Sequence, residues 1–453
     1  MAPSREIRPS EKSRIARLPG SPGGRAKALT SLPGQAIMRL SWTPPRGRWR
    51  VRYLAVGLVA PINSKIRGHG FPVGEGAGAG QSRGGVLVGL ADGHANPPRE
   101  GGSFVPLTPV VALQLSVDGY PATLWLKLES HNPHGSVKGR TALALWRDVV
   151  PRVDPEFGII ESTSGNLGLA LAAVAAGNQV PFTAVVDPRS SASLVDAVRA
   201  LDGRVVTVDE PDGAGGYLLS RLAYIEERLA AQPRLVWPNQ YANPANPAVH
   251  ARETAPELRA QIRERPTSVL VAVSTGGTLA GFRRYVLTAR PEWELVGVDV
   301  VGSAALGGTS GRRVLSGIGA SRPSAFLPDG YRPTVWITPQ EAVSACLWLA
   351  ETTGLGIGGS SGALIASALR LFRATPRRTS VACLCPDGAD RYLDSVYSTS
   401  WRDRQGLVSV DIGRGVEILA VHHPPRDPAA GGAAWSAARG APAPDDSPKG
   451  RSR

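Results

Sequence analysis

Cysteine is scarce in this chain: Cys346, Cys383 and Cys385 are the three present among 453 residues. So few thiols cannot staple a chain of this size, and nothing in their placement suggests disulfides, so a reducing, cytoplasmic setting is expected. Cys346 falls in the helical pattern EAVSACLWLAE, and the other two in the apolar run SVACLCP. All three read as small buried hydrophobes. A C-x-C pair without a partner cluster is not a zinc motif, and no metal is expected. Long apolar runs are missing too. The stretch YLAVGLVAPI near the N-terminus is too short to span a bilayer, and a secretory leader with its small-residue cleavage site is not apparent. No Walker A lysine followed by Ser/Thr occurs, nor a G-x-G-x-x-G with an acid about twenty residues on.

The net charge of +14 could point to nucleic acid. Its distribution argues otherwise: residues 1–100 hold 16 Lys/Arg against 5 Asp/Glu, so +11 lies there. That head is rich in Gly, Pro and Arg, as in GEGAGAGQSRGG, and such composition cannot bury enough apolar surface to offset chain entropy. Its Gly/Pro load also opposes the amphipathic helix of a transit peptide. The reading is a disordered, low-complexity extension over 1–100, a folded domain over 101–423, and a disordered tail over 424–453. No RNP, helix-turn-helix or zinc pattern accompanies the charge, so neither nucleic acid nor membrane is an expected partner.

Within 101–423, short apolar segments alternate with helical ones. Strands are predicted in 123–129, 158–163, 181–187, 204–209, 268–273, 294–300, 334–339 and 380–386. Helical segments such as LGLALAAVAAG and YLLSRLAYIEERLAA lie between most of them. This is the signature of an α/β fold with a buried parallel sheet. Ligands in such folds bind beyond the carboxyl ends of strands, at helix N-termini.

One such loop reads HNPHGSVKGR, residues 131–140. Asn132, Pro133 and Gly135 are turn formers, Ser136 is a candidate N-cap, and the following TALALWRDVV has helical spacing. Lys138 therefore stands in the first turn of a helix, where partial positive charge makes a cation misplaced. A solvated surface lysine is the ordinary reading. The sharper one is a Schiff-base lysine whose charge is retuned by a carbonyl cofactor. Three further small-residue loops precede helices: STSGNLG (162–168), STGGTLAG (274–281) and GIGGSSGA (356–363). Each offers backbone N–H groups to an anion. Four together imply an anionic cofactor and an anionic substrate.

NPHGSVKGR, ESTSGNLG, NQYANPANP with His250, STGGT, GIGAS and GGSSGA, in this order, resemble the fold-type II pyridoxal-phosphate enzymes of the cysteine synthase group. The likeness covers about 103–401. It implies a tryptophan synthase β-like fold: two three-layer α/β/α lobes, the smaller about 132–243, with pyridoxal 5'-phosphate in the cleft between them. It also implies a homodimer acting on small amino acids. By resemblance, Lys138 is the catalytic residue and binds the cofactor covalently. Ser274, Thr275, Gly276, Gly277 and Thr278 would hold its phosphate, Asn166 its phenolic oxygen, and Ser360 would face the ring nitrogen. Thr163, Ser164, Gly165 and Gln240 would grip the substrate carboxylate. Read alone, Ser360 better fits a helix cap, Gln240 equally fits a satisfied loop amide, and His250 reads as a structural residue.

A ring nitrogen that meets a hydroxyl is not forced to protonate, which suits β-elimination followed by addition over transamination. Lys138, once released, is the natural acid–base for the α-proton. The chain departs from typical cysteine synthases in Lys138–Gly139–Arg140 for KDR, in Leu167 for the threonine of TSGNTG, and in GVDVVGS for GVEP. ESTSGNLG, VDVVGSAALGG, GIGASRP, GGSSGA and the YLDSVYSTSW end more closely resemble the N-(2-amino-2-carboxyethyl)-L-glutamate synthases. That branch makes 2,3-diaminopropionate precursors for siderophores and antibiotics by replacing the phosphate of O-phospho-L-serine with the amine of L-glutamate. The alternatives are a cysteine synthase using O-acetylserine or O-phosphoserine and, in another class, a non-catalytic cofactor-binding or basic-tailed binding protein. Arg140 and Arg322 are candidates for a second anion, since a guanidinium grips phosphate or carboxylate in a fork; an ordinary structural arginine is the alternative for each.

Overall fold

A computed structural model describes residues 37–43, 48–54 and 105–423, apart from 164, 214, 215, 263–265, 267 and 290. The tail 424–453, and the head outside those two stretches, lie outside the described residues. The chain divides into two compact units, 1–86 and 87–453. In the first, β1 (Ile37–Thr43) and β2 (Arg48–Leu54) form an antiparallel hairpin with Ile37 opposite Leu54. The sequence reading placed no strand there.

The second unit runs β3 (Val110–Val117), β4 (Tyr120–Leu128), α1 (Lys138–Val149), β5 (Ile159–Ser162), α2 (Asn166–Gly177), β6 (Phe182–Val186), α3 (Ala192–Arg199) and β7 (Arg204–Thr207). It continues with α4 (Leu218–Ala231), α5 (Ala245–Val249), a π-helical turn (His250–Thr254), α6 (Ala255–Gln261), β8 (Ser268–Ala272), α7 (Gly277–Ala289) and β9 (Glu294–Val300). Last come β10 (Thr334–Ile337), α8 (Pro339–Thr353), α9 (Gly359–Ala374), β11 (Ser380–Cys385), α10 (Thr399–Arg404) and β12 (Val416–His422).

Two sheets organise it. The larger has the order β10-β9-β8-β11-β4-β3-β12, the smaller β5-β6-β7. Strands β10 to β4 are parallel, as are those of the small sheet. The expectation of a purely parallel sheet misses the other end, where β3 and β12 pair antiparallel. The cause is local. Asp118 and Gly119, both at positive φ, make a two-residue turn that returns the chain at once as β4.

Each buried strand shows why it lies where it does. The six residues of β11, SVACLC, are all buried, as befits a strand flanked by β4 and β8. Burial also pushes its two thiols and that of Cys346 upward, which leaves them unreactive. Helix α9 covers this sheet with Leu364, Ile365, Ala368 and Leu369 fully buried. Helix α8 starts on a capping box between Thr338 and Glu341 and stops at Gly354 in the left-handed region. Helices α1 and α2 pack on the small sheet through Leu145, Val149, Ala170 and Leu171. Among the described residues no helix is long and apolar enough to cross a membrane, and no cluster of His, Cys, Asp and Glu is arranged for a metal.

Candidate active site

A cleft opens at the carboxyl ends of β5, β8 and β11. Lys138, Thr163, Gly165, Asn166, Gln240, Ser274, Thr275, Gly276, Thr278 and Ser360 all line it. Residues from five separated segments thus meet in one space.

Lys138 is the first residue of α1. The helix starts without the expected serine cap: Val137 occupies the N-cap position in the helical region, and no side chain caps the turn. Ser136 is instead buried, its hydroxyl unpartnered among the described residues. The reason is tertiary. Ser136 bridges antiparallel to Asp387, and the Val137 N–H donates to the Pro386 carbonyl at 2.8 Å. The lysine loop is docked on the end of β11, which fixes where α1 begins. Burial lowers the Lys138 pKa to about 8, with the Glu161 carboxylate opposing.

Glu161, next to last in β5, is fully buried. Its carboxylate accepts from Trp237 Nε1 (3.0 Å), the Ser162 N–H (2.9 Å) and the Gln240 N–H (3.2 Å). Burial pushes its pKa up to about 7 against those three donors. The Gln240 amide is oriented from both ends: Nε2 donates to the Ser162 carbonyl at 2.8 Å, and Oε1 faces the Lys138 amine at 3.4 Å.

In the next loop, Thr163 Oγ1 accepts from the Gly168 N–H at 2.9 Å and donates to the Gly165 carbonyl at 3.2 Å. A Cβ on Gly168 would meet Thr163 Cγ2 at 2.5 Å, so glycine is needed for this closure. Ser164 lies outside the described residues. Asn166 opens α2 and donates through Nδ2 to Asp387 Oδ2 at 2.6 Å.

The 274–278 loop leaves β8 and enters α7. Gly276 sits at φ +87°, and a Cβ there would lie 1.9 Å from Ser324 Oγ. A Cβ on Gly277 would collide with the Asn246 amide at 2.2 Å. Gly277 does not face the cleft as its four neighbours do; its N–H donates to Thr275 Oγ1 at 3.4 Å. Thr278 is held by His250, whose Nε2 also contacts Thr141 (3.3 and 3.2 Å), while Nδ1 meets Thr254 at 3.0 Å. Burial drives the His250 pKa well below its usual value, with Lys138 and Arg140 adding to the effect. A neutral imidazole in a π turn therefore ties the 274–278 loop to α1.

Ser360, second in α9, is 1% exposed, and its hydroxyl has no partner among the described residues. A buried hydroxyl aimed into a cleft carries an unmet hydrogen bond. Together with the glycine cradle at the N-terminus of α7, suited to a phosphate, and a depressed lysine, these residues fit pyridoxal phosphate.

The two candidate arginines separate. Arg140 is not near a substrate space: it is fully buried and pairs with Glu129 (2.9 Å) and Glu257 (2.8 Å), beside Lys127, itself paired with Glu257. Sequence proximity to Lys138 misleads because Arg140, two residues along α1, points away from the cleft into this cluster. Arg322 is half-buried with its guanidinium 5.6 Å from the centre of the Tyr241 ring, and Tyr241 lines the cleft. Burial raises the Tyr241 pKa, while Arg221 and Arg322 lower it. Arg221 is buried against Asp187 at 3.5 Å, its Nε and Nη1 lacking hydrogen-bond partners among the described residues.

Sequence reasoning missed Glu161, Tyr241, Asp387, Arg391 and Tyr392. Asp387 is 1% exposed, lines the cleft, and lies two residues past a buried strand, where the general rule for α/β folds says to look. Burial raises its pKa, and donors from Tyr392 and Asn166 pull the other way.

A model of the pyridoxal-phosphate dependent enzymes matches residues 104–387. The N-(2-amino-2-carboxyethyl)-L-glutamate synthase of Ralstonia nicotianae is 39% identical over 305 residues, spanning 66% of this chain and 89% of that relative. The enzyme of the same name from Cupriavidus metallidurans is 38% identical over 303 residues, with 66% and 89% covered. Among solved structures, the O-acetylserine dependent cystathionine beta-synthase of Helicobacter pylori superposes with a TM-score of 0.58 at 31% identity, covering 65% of this chain and 96% of that one.

Proposed function

Since the chain belongs to the pyridoxal-phosphate dependent enzyme family, we propose that its cleft performs a β-replacement on O-phospho-L-serine with L-glutamate, giving N-(2-amino-2-carboxyethyl)-L-glutamate. The C–O bond to phosphate breaks, a bond from the glutamate nitrogen to the same carbon forms, and phosphate leaves. The cofactor supplies an electron sink for the α-carbon. Lys138 would anchor it; its amine, once free, would take the α-proton and return it after the glutamate nitrogen, which gives up one proton, has added. The 274–278 loop and the N-terminus of α7 would hold the cofactor phosphate, Ser360 would serve the ring nitrogen, and Asn166 the phenolic oxygen. Thr163, Gly165 and Gln240 receive the substrate carboxylate, with Ser164 in the same loop.

The geometric observation that carries this reading is a guanidinium beside the cleft: that of Arg322 lies 5.6 Å from the ring centre of Tyr241, which lines it. A serine ester with an uncharged leaving group and a sulfide nucleophile would need no second anion site. Phosphoserine adds a phosphate, and glutamate adds two carboxylates. The 38–39% identity to relatives named for this product supports the same choice. The reading includes a cytoplasmic homodimer supplying the precursor of 2,3-diaminopropionate to a siderophore or antibiotic pathway, with neither nucleic acid nor membrane as partner.

The test is product mass spectrometry after incubating purified protein with O-phosphoserine or O-acetylserine and, separately, glutamate or sulfide. The glutamate adduct should form fastest from phosphoserine. Faster turnover with sulfide on either ester would make the protein a cysteine synthase instead.

A further inference from the structure

The segment 386–392, PDGADRY, enters the site from β11 and grips three of its parts. Its backbone holds two of them. Pro386 and Asp387 pair with Val137 and Ser136 of the lysine loop, and the Asp387 carbonyl accepts from the Gly358 N–H at 3.2 Å, ahead of Ser360. Its side chains hold the third. Asn166 Nδ2 donates to Asp387 Oδ2 at 2.6 Å, and Arg391 Nη1 donates to Asn166 Oδ1. The same carboxylate oxygen accepts from the Tyr392 hydroxyl at 2.6 Å, and Arg391 Nη2 donates to the His134 carbonyl at 2.7 Å.

These contacts leave the Asn166 amide one orientation. A guanidinium has donors alone, so it must face the amide oxygen; an ionised carboxylate has acceptors alone, so it must face the NH₂. Asn166 lines the cleft with one N–H beyond the one given to Asp387. Without these two neighbours the amide could turn and offer an oxygen, which a phenolate-like oxygen would repel. We propose that Asp387 and Arg391 are positioning residues that lock the Asn166 amide so that it presents N–H, not C=O, to the phenolic oxygen of the cofactor. The inference rests on the cofactor reading above and adds two residues to it.

The packing around the clamp is tight enough to enforce it. A Cβ on Gly135 would lie 2.5 Å from Arg391 Nη2, and one on Gly358 would lie 2.0 Å from Asp387 Oδ1. That Oδ1 is buried with no partner among the described residues, so the carboxylate is held by its other oxygen and by fit.

The test uses the full-length holoenzyme and two variants, Asp387→Asn and Arg391→Gln. Borohydride reduction and peptide mapping first show whether the cofactor is on Lys138. If the wild type carries none, or carries it on another lysine, the cofactor reading fails and the clamp with it. With Lys138 labelled in the wild type, both variants should still be labelled there. Their visible absorbance band should shift or split between tautomers, and kcat should fall at least tenfold with KM changed less than threefold. A purely structural role would lower the melting temperature and leave the band in place, which overturns the proposal. So does a wild-type band with kcat within twofold in both variants. If neither variant folds or takes up cofactor, the residues serve the fold and the proposal is likewise refuted; if one does, its band decides.

Discussion

The Gln240 amide oxygen lies 3.4 Å from the Lys138 amine, turned toward it by a hydrogen bond from the same amide to the Ser162 carbonyl. Glu161 holds that arrangement by accepting from the Gln240 N–H, and its charge acts on Lys138 as well. A lysine with a pKa of about 8 is roughly one-tenth neutral at pH 7; an unperturbed one is neutral in roughly one molecule in three thousand. The neutral amine is the form that attacks the cofactor aldehyde. Capture of cofactor by the apoprotein, followed by absorbance, should therefore speed up with rising pH and level off above about 8. Glu161, pushed to about 7, is ionised over the upper part of that range, and its carboxylate raises the lysine pKa. Glu161→Gln should move the inflection to lower pH. A capture rate still climbing at pH 10 would contradict the assignment.

Arg140 gives a prediction of opposite character. Its guanidinium joins Glu129 and Glu257 in a cluster with Lys127, all buried. Removing one partner leaves a buried charge uncompensated, at a cost of about 3–5 kcal/mol. Arg140→Ala should show that loss in denaturant titration. A variant of near wild-type stability with a raised KM for one anionic substrate would return Arg140 to the substrate list.

How much of this could be read beforehand depends on range. The strands from β4 to β11 and the loops after them follow from apolar runs and small-residue loops, which are local signals. Strand β12 is not legible because it has no buried face and alternates only between half-buried and exposed residues along VEILAVH; β3, mostly buried, carries an apolar run that does signal a strand. The Asp118–Gly119 turn was a local signal, and it was overlooked. The N-cap at Val137, the burial of Arg140 and the clamp on Asn166 were not legible. Each depends on partners far along the chain: Asp387 and Arg391 lie 221 and 225 residues beyond Asn166.

Deleting residues 1–100 should leave melting temperature and turnover within error. The charge and the Gly/Pro load of that stretch motivate the expectation, and Val105 is the first described residue buried in the second unit. A fall of several degrees, or a several-fold loss of kcat, would assign the head a role in the enzyme.

The last prediction concerns the second anion. Arg322 lies over the Tyr241 ring and is half-buried, so its charge is partly screened. Charge-assisted hydrogen bonds contribute about 1.5–3 kcal/mol, and for a group this accessible the lower end applies, or roughly tenfold in affinity. Arg322→Ala should therefore raise KM for phosphoserine or for glutamate about tenfold, with kcat and the visible spectrum little changed, the pattern of lost uniform binding. Tyr241→Phe keeps the ring beneath the guanidinium and removes the hydroxyl. If its KM matches the wild type, the arginine binds the anion directly; if it matches Arg322→Ala, the hydroxyl carries the contact and the arginine acts through it. Arg221→Ala should cost stability as well, because it strands Asp187, which is 7% exposed. Comparing its melting temperature with that of Arg322→Ala separates binding from folding. Kinetics unchanged in both Arg322→Ala and Tyr241→Phe would remove this end of the cleft from substrate recognition, and with it the geometric support for a phosphorylated substrate.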